Sequence, residues 1–200
     1  MFWTVIIMNL LNISAIRGAM PIVSQFADSQ GASPTVIGLL VSAYALFPMF
    51  MAIQAGKWLD RYGAKRMVML GGSGVFLSFL IPILFPRLES LFFSQLLLGL
   101  CQILFLVALQ KTVGNLPGQR DQLIATFSFT AALGEMLGPL VSGFSYQHAG
   151  FRSAYAVLSG FALLSLTLGA VRSAQAWQVS SISPEVQRPS SNPSKKGSTW

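Results

Sequence analysis

Long apolar runs alternate with short polar ones over residues 1–171. Within each run the apolar residues are continuous, not spaced every second position. About 20 residues of helix cross a hydrocarbon core of ~30 Å, so these runs read as membrane spans. Strands of a membrane barrel would alternate apolar and polar side chains, and they do not fit. Six spans follow, at residues 2–26, 35–56, 67–85, 91–113, 122–146 and 152–171. Ser33 before Pro34 marks the start of the second span, with a capping oxygen followed by a ring already set for the first helical turn. After residue 171 the text becomes rich in Ser, Pro, Gln and Lys without periodicity. Residues 172–200 therefore read as a disordered cytoplasmic tail. The fold class expected is an all-α membrane protein with six transmembrane helices.

Composition agrees: 53% of residues are hydrophobic and 10% charged, against about 25% charge in soluble domains. Net charge is +7, which on its own would suggest nucleic acid. The position of the cations removes that reading. Lys57, Arg61, Lys65, Arg66, Lys111, Arg120, Arg172, Arg188, Lys195 and Lys196 fall on one side of the spans, and Arg87 and Arg152 on the other. Ten against two puts the first side in the cytoplasm, with both termini there. The expected setting is a bacterial inner membrane, with the bilayer and no nucleic acid as partner. Cys101 is the single cysteine, so no internal disulfide forms. No Cys/His cluster suggests a metal and no phosphate-cradling loop suggests a cofactor. No set of His, Asp, Ser or Cys at one depth suggests an enzyme.

Three stretches carry candidate chemistry. The first is the charged run at 56–66, read as a short cytoplasmic loop between the second and third spans. Gly56 and Gly63 permit tight backbone geometry, and Asp60 is placed to meet the third helix's N-terminus or to pair with Arg61 or Lys65. Lys65 and Arg66 add charge. The second is the fifth span, where Thr126, Thr130, Gly134, Gly138 and Ser142 recur every four residues. They form a stripe of small side chains suited to close contact with another helix, or to pairing with a second copy of the chain. Pro139 removes a backbone donor there. The third is the pair of ionisable residues inside spans, Arg17 and Glu135. Such groups face a wet cavity or a partner, because charge in hydrocarbon costs at least ~2.5 kcal/mol; Arg17 can alternatively snorkel to the outer interface and Glu135 be a neutral, hydrogen-bonded carboxyl. Glu135 is the candidate proton-coupling carboxylate. Gln95 and Gln102, seven apart on one helical face, are candidates for lining a polar cavity or for hydrogen bonding between helices.

The run Gly56, Asp60-Arg61, Gly63, Lys65-Arg66 resembles the signature loop between helices two and three of major facilitator superfamily transporters. Ala64 stands where that family usually has a basic residue. Gly134, Gly138-Pro139 and Gly143 resemble its fifth-helix motif, with Ser142 replacing a usual Gly. Gln95 stands where the family often has Arg. The resemblance implies a six-helix N-terminal half of a twelve-helix bundle, a gating role for the charged loop, and a small-molecule substrate exported in exchange for protons. The missing C-terminal half, or a second copy, would complete the site. The alternative is a non-transporting remnant or membrane scaffold.

Overall fold

A computed structural model describes residues 1–171, and the tail expected at 172–200 lies outside the described residues. Its helices are α1 (Phe2–Ser29), α2 (Pro34–Tyr62), α3 (Ala64–Leu84), α4 (Leu88–Gly114) and α5 (Arg120–Val171). Each is long and apolar enough to cross a membrane. The second starts where expected: Ser33 Oγ accepts the Val36 N–H at 3.4 Å, with Pro34 in the first turn.

The count differs from expectation, with five helices among the described residues where six were predicted. The turn expected at 148–152 is compressed into one residue. Gly150 has φ 78° and ψ −174° inside an otherwise helical 52-residue stretch. That backbone region is almost closed to residues with a Cβ. The chain reverses there, giving α5 two arms. Ser153 Oγ donates to the Ser145 carbonyl across the bend. Near the start of α1, Asn9 Nδ2 donates to the Phe127 carbonyl of the first arm, and Ser165 Oγ of the second donates to the Met8 carbonyl. At the other end of α1, Phe26 stacks on Phe151 at 4.0 Å. Gly150→Ala is expected to cost about 1 to 3 kcal/mol of stability. Equal unfolding midpoints for variant and parent would show that the reversal does not depend on this torsion.

The charged run at 56–66 is also not a loop. Residues 56–62 continue α2 for nearly two more turns, and only Gly63 separates α2 from α3. At about 1.5 Å per residue, the 29 residues of α2 are longer than a ~30 Å core needs. The excess carries Lys57, Asp60 and Arg61 beyond the apolar depth. Gly63 has φ 81° and donates its N–H to the Leu59 carbonyl at 2.9 Å.

Packing follows from small residues. α1 lies along both arms of α5, α3 along α4, and α2 chiefly against α4. A Cβ on Gly71 would come within 2.7 Å of Phe105 N, which is why α3 and α4 approach so closely. The buried apolar side chains form two clusters. One holds Met8, Leu59, Met67, Phe105 and Leu109 toward the cationic end. The other holds Ile16, Ile22, Leu40, Phe79, Leu98 and Tyr155 toward the opposite end. α2 is the least covered helix, with Met49, Phe50 and Ile53 each more than two-thirds exposed.

Candidate functional site

The fifth-helix stripe brings α1 and α5 together. A Cβ on Gly138 would overlap the Ser14 carbonyl oxygen and lie 2.9 Å from Gly18 N. One on Gly134 would lie 3.0 Å from the Leu10 carbonyl oxygen. Ser142 Oγ donates to the Gly18 carbonyl at 2.8 Å, so the Ser that replaces a usual Gly adds a bond across the crossing. Thr130, Gly134, Gly138 and Ser142 are buried within the fold by these contacts, and a second copy cannot pair through them. Gly143 stands apart, with open space around it.

This crossing places the two in-span charges side by side. Arg17 Nη2 lies 2.8 Å from Glu135 Oε1. Both side chains stay about half exposed, 44% and 51%. The pair therefore sits on an open face of the bundle midway along α1 and the first arm of α5. Tyr44 of α2 lies within electrostatic reach of both. Tyr44 is held there from behind: a Cβ on Gly99 would overlap the Tyr44 carbonyl oxygen and lie 3.2 Å from Pro48 Cδ. Gln95 and Gln102 flank Gly99 by one turn on either side. They are buried between helices, at 1% and 4% exposure, and not on the open face. Their Oε1 atoms, and Asn12 Oδ1, have no hydrogen-bond partner.

The second ionic contact is at the cationic end. Lys111 Nζ in the last turn of α4 meets Asp60 Oδ1 in the last turns of α2 at 2.5 Å. Sequence had suggested Arg61, Lys65 or the start of α3 as partner for Asp60. The structure adds Lys111 as an ion-pair partner of Asp60, and α3 has no side-chain cap. Arg61 instead stacks over the Tyr62 ring at 5.4 Å. A cavity of about 140 Å³ opens beside the pair, lined by Leu59, Gly63, Ala64, Thr112 and Asn115 among others. With Asp60 72% exposed and Lys111 40%, the pair is screened. It contributes on the order of 0.5 kcal/mol and fixes orientation more than stability.

Sequence reasoning missed Lys111 and Tyr44. The signal for Lys111 was topological: α2 and α4 run in the same direction, so their last turns end at one level. Nothing in the local text marks Tyr44, because its position depends on Gly99 in another helix. Among the described residues no group of His, Cys, Asp and Glu is placed to hold a metal.

The chain is similar to proteins of known kind. Human MFS-type transporter SLC18B1 is 28% identical over 162 residues, covering 74% of this chain and 34% of the relative. Multidrug resistance protein 2 of Bacillus subtilis (strain 168) is 29% identical over 147 residues, covering 72% and 36%. The chain thus spans about a third of the length of these curated relatives. A crystal structure of the peptide transporter POT in complex with sulfate superposes with a TM-score of 0.76 at 22% identity. That superposition covers 84% of this chain and 37% of the other, and it shows the shared fold. The helices and the relatives make this a multi-pass membrane protein. The family model for the Major Facilitator Superfamily matches residues 2–196, and the chain belongs to that superfamily.

Proposed function

We propose that the chain is the N-terminal half of a secondary transporter that moves a small organic solute by alternating access, as proton-coupled efflux. The observation that carries this reading is the Arg17–Glu135 pair on the half-exposed face at the α1–α5 crossing. Charges at that depth mark solute and ion pathways, because hydrocarbon makes them costly elsewhere. Glu135 is the proton-coupling carboxylate and Arg17 its counter-charge. Buried Gln95 and Gln102 hold the helices that carry the site. The multidrug resistance relative supports export. Both termini face the cytoplasm of a bacterial inner membrane, as the distribution of Lys and Arg favours.

The cationic end is the gate. Gly56, Asp60, Arg61, Gly63, Lys65 and Arg66 join α2 to α3, and the Asp60–Lys111 pair ties that junction to α4. A single-residue joint at Gly63 transmits tilt between the two helices with little slack. Of the fifth-helix motif Gly134, Gly138, Pro139 and Gly143, the first two glycines lock α1 to α5 so that the half rocks as one body. The other half of the site comes from a C-terminal half or a second copy, across the face that α2 leaves uncovered.

Proteoliposomes carrying the chain and loaded with anionic, neutral and cationic dyes provide the test. An imposed pH gradient is expected to drive dye flux, and Glu135→Gln is expected to remove the response to the gradient. Absence of flux for every dye would remove the transport reading.

A further inference from the structure

Pro48 lies inside α2 and has no N–H to give. In an unbroken helix that N–H would bond the carbonyl four residues earlier, which is the carbonyl of Tyr44. The proline ring also crowds that carbonyl. The space for it is supplied by α4. A Cβ on Gly99 would overlap the Tyr44 carbonyl oxygen and would lie 3.2 Å from Pro48 Cδ. A backbone acceptor without its helical donor is therefore held at the α2–α4 crossing, against the backbone of Gly99.

Gln95 and Gln102 stand one turn to either side of Gly99 and share its face of α4. They are 1% and 4% exposed, and their Oε1 atoms have no hydrogen-bond partner. The hydroxyls of the two facing stretches are committed elsewhere. Ser94 Oγ donates to the Ser78 carbonyl, and Ser42 Oγ to the Leu39 carbonyl. The Cys101 thiol is turned to α3, where a Cβ on Gly74 would strike its sulfur. Acceptors thus gather at one crossing where side-chain donors are spent. From this we infer that ordered water occupies the α2–α4 crossing, donating to the Tyr44 carbonyl and to the Oε1 of Gln95 or Gln102, and so bridges the two helices.

The chemistry selects water over other occupants. Buried water sits where several polar groups lack partners, and it makes about three hydrogen bonds there. Where proline frees a carbonyl inside a membrane helix, such water is one of the groups that satisfy it. A metal cation would also take oxygen ligands, but it needs a counter-charge at span depth. The charges of α2 are Lys57, Asp60 and Arg61, and those of α4 are Glu89 and Lys111, all toward helix ends. Glu135 of α5 is already engaged with Arg17. A neutral group that donates twice completes the acceptors without adding charge. The inference goes beyond the transport reading and does not depend on it.

Water-edited solid-state NMR on the whole chain in lipid bilayers provides the test, with water itself as the probe. Magnetisation is expected to pass from water to the Gln95 and Gln102 amides and to the Tyr44 carbonyl several-fold faster than to the Asn9 amide. Asn9 is as deeply buried, at 1%, and its Nδ2 already donates to the Phe127 carbonyl, so it sets the dry background. Transfer at the crossing no faster than at Asn9 would overturn the inference. Pro48→Ala returns an N–H to the Tyr44 carbonyl, and transfer to that carbonyl is expected to fall to the Asn9 level. Undiminished transfer there in the folded variant would refute the bridge. Exchange of choline for sodium in the buffer is expected to leave the signals of Tyr44, Gln95 and Gln102 unmoved. Their displacement by sodium would show a cation site instead of water and would equally sink the idea.

Discussion

Gly138→Ala is expected to disrupt the α1–α5 crossing and to destabilise the protein by about 3 kcal/mol, the upper end of the usual cost of overpacking. The reason lies in what the added methyl meets. Its neighbours are the Ser14 carbonyl and Gly18 N, both backbone atoms of α1. A flexible side chain could rotate away, but a helix backbone can only move as a whole. Moving it would lengthen the Ser142–Gly18 hydrogen bond and the Arg17–Glu135 contact together. Gly143→Ala provides the control, because a Cβ there meets nothing within 4 Å. It lies in the same helix and the same motif, and is expected to be neutral or stabilising by up to about 1 kcal/mol through helix propensity. Denaturant titration of the two variants in one lipid mixture checks both. Equal stabilities would show that the close approach at Gly138 is not what holds these helices.

Glu135→Leu is expected to destabilise by about 2 kcal/mol, and Arg17→Leu by clearly less. Removing one partner of an ion pair in an apolar setting is costly because the other charge is left alone, by ~3 to 5 kcal/mol when fully buried. Here each side chain is about half exposed, which lowers the figure. The inequality between the variants is the informative part. Arg17 left alone keeps a permanent guanidinium charge, the costliest group to strand away from water. The double variant is expected to lose less than the sum of the singles, with a coupling of about 1 kcal/mol or more. Additive losses in the double-mutant cycle would mean that the contact contributes nothing. A larger loss for Arg17→Leu would contradict the stated asymmetry.

Much of the architecture was legible in the text of the chain. The apolar runs located the starts of α1 to α4 to within a few residues, because a hydrocarbon core demands length and continuity that little else imitates. Ser33 and Pro34 marked a helix start correctly because capping is local chemistry. The four-residue stripe from Thr126 to Ser142 correctly announced a close helix contact. It could not name the partner, and the partner is α1 of the same chain. The charged run at 56–66 misled because charge was taken for irregular backbone. Lys, Asp and Arg are compatible with helix, and once α2 leaves the apolar depth nothing forces it to end before Gly63. The turn expected at 148–152 is a single non-helical residue in the structure, since one glycine at positive φ is enough to reverse the chain.

The sequence by itself determined that helices cross a bilayer, where they begin, and which residues carry charge at depth. Hydrophobic length, caps and the solvation of charge act over a few residues, so a linear text records them. Only the tertiary structure decided the pairings: Arg17 with Glu135 across 118 positions, Asp60 with Lys111 across 51, and Tyr44 set by Gly99. It also decided that Gln95 and Gln102 turn inward while Glu135 stays on an open face. The physical reason is that backbone contact at glycine fixes how two helices rotate against each other. That rotation selects the side chains that meet, and no single helix carries the information.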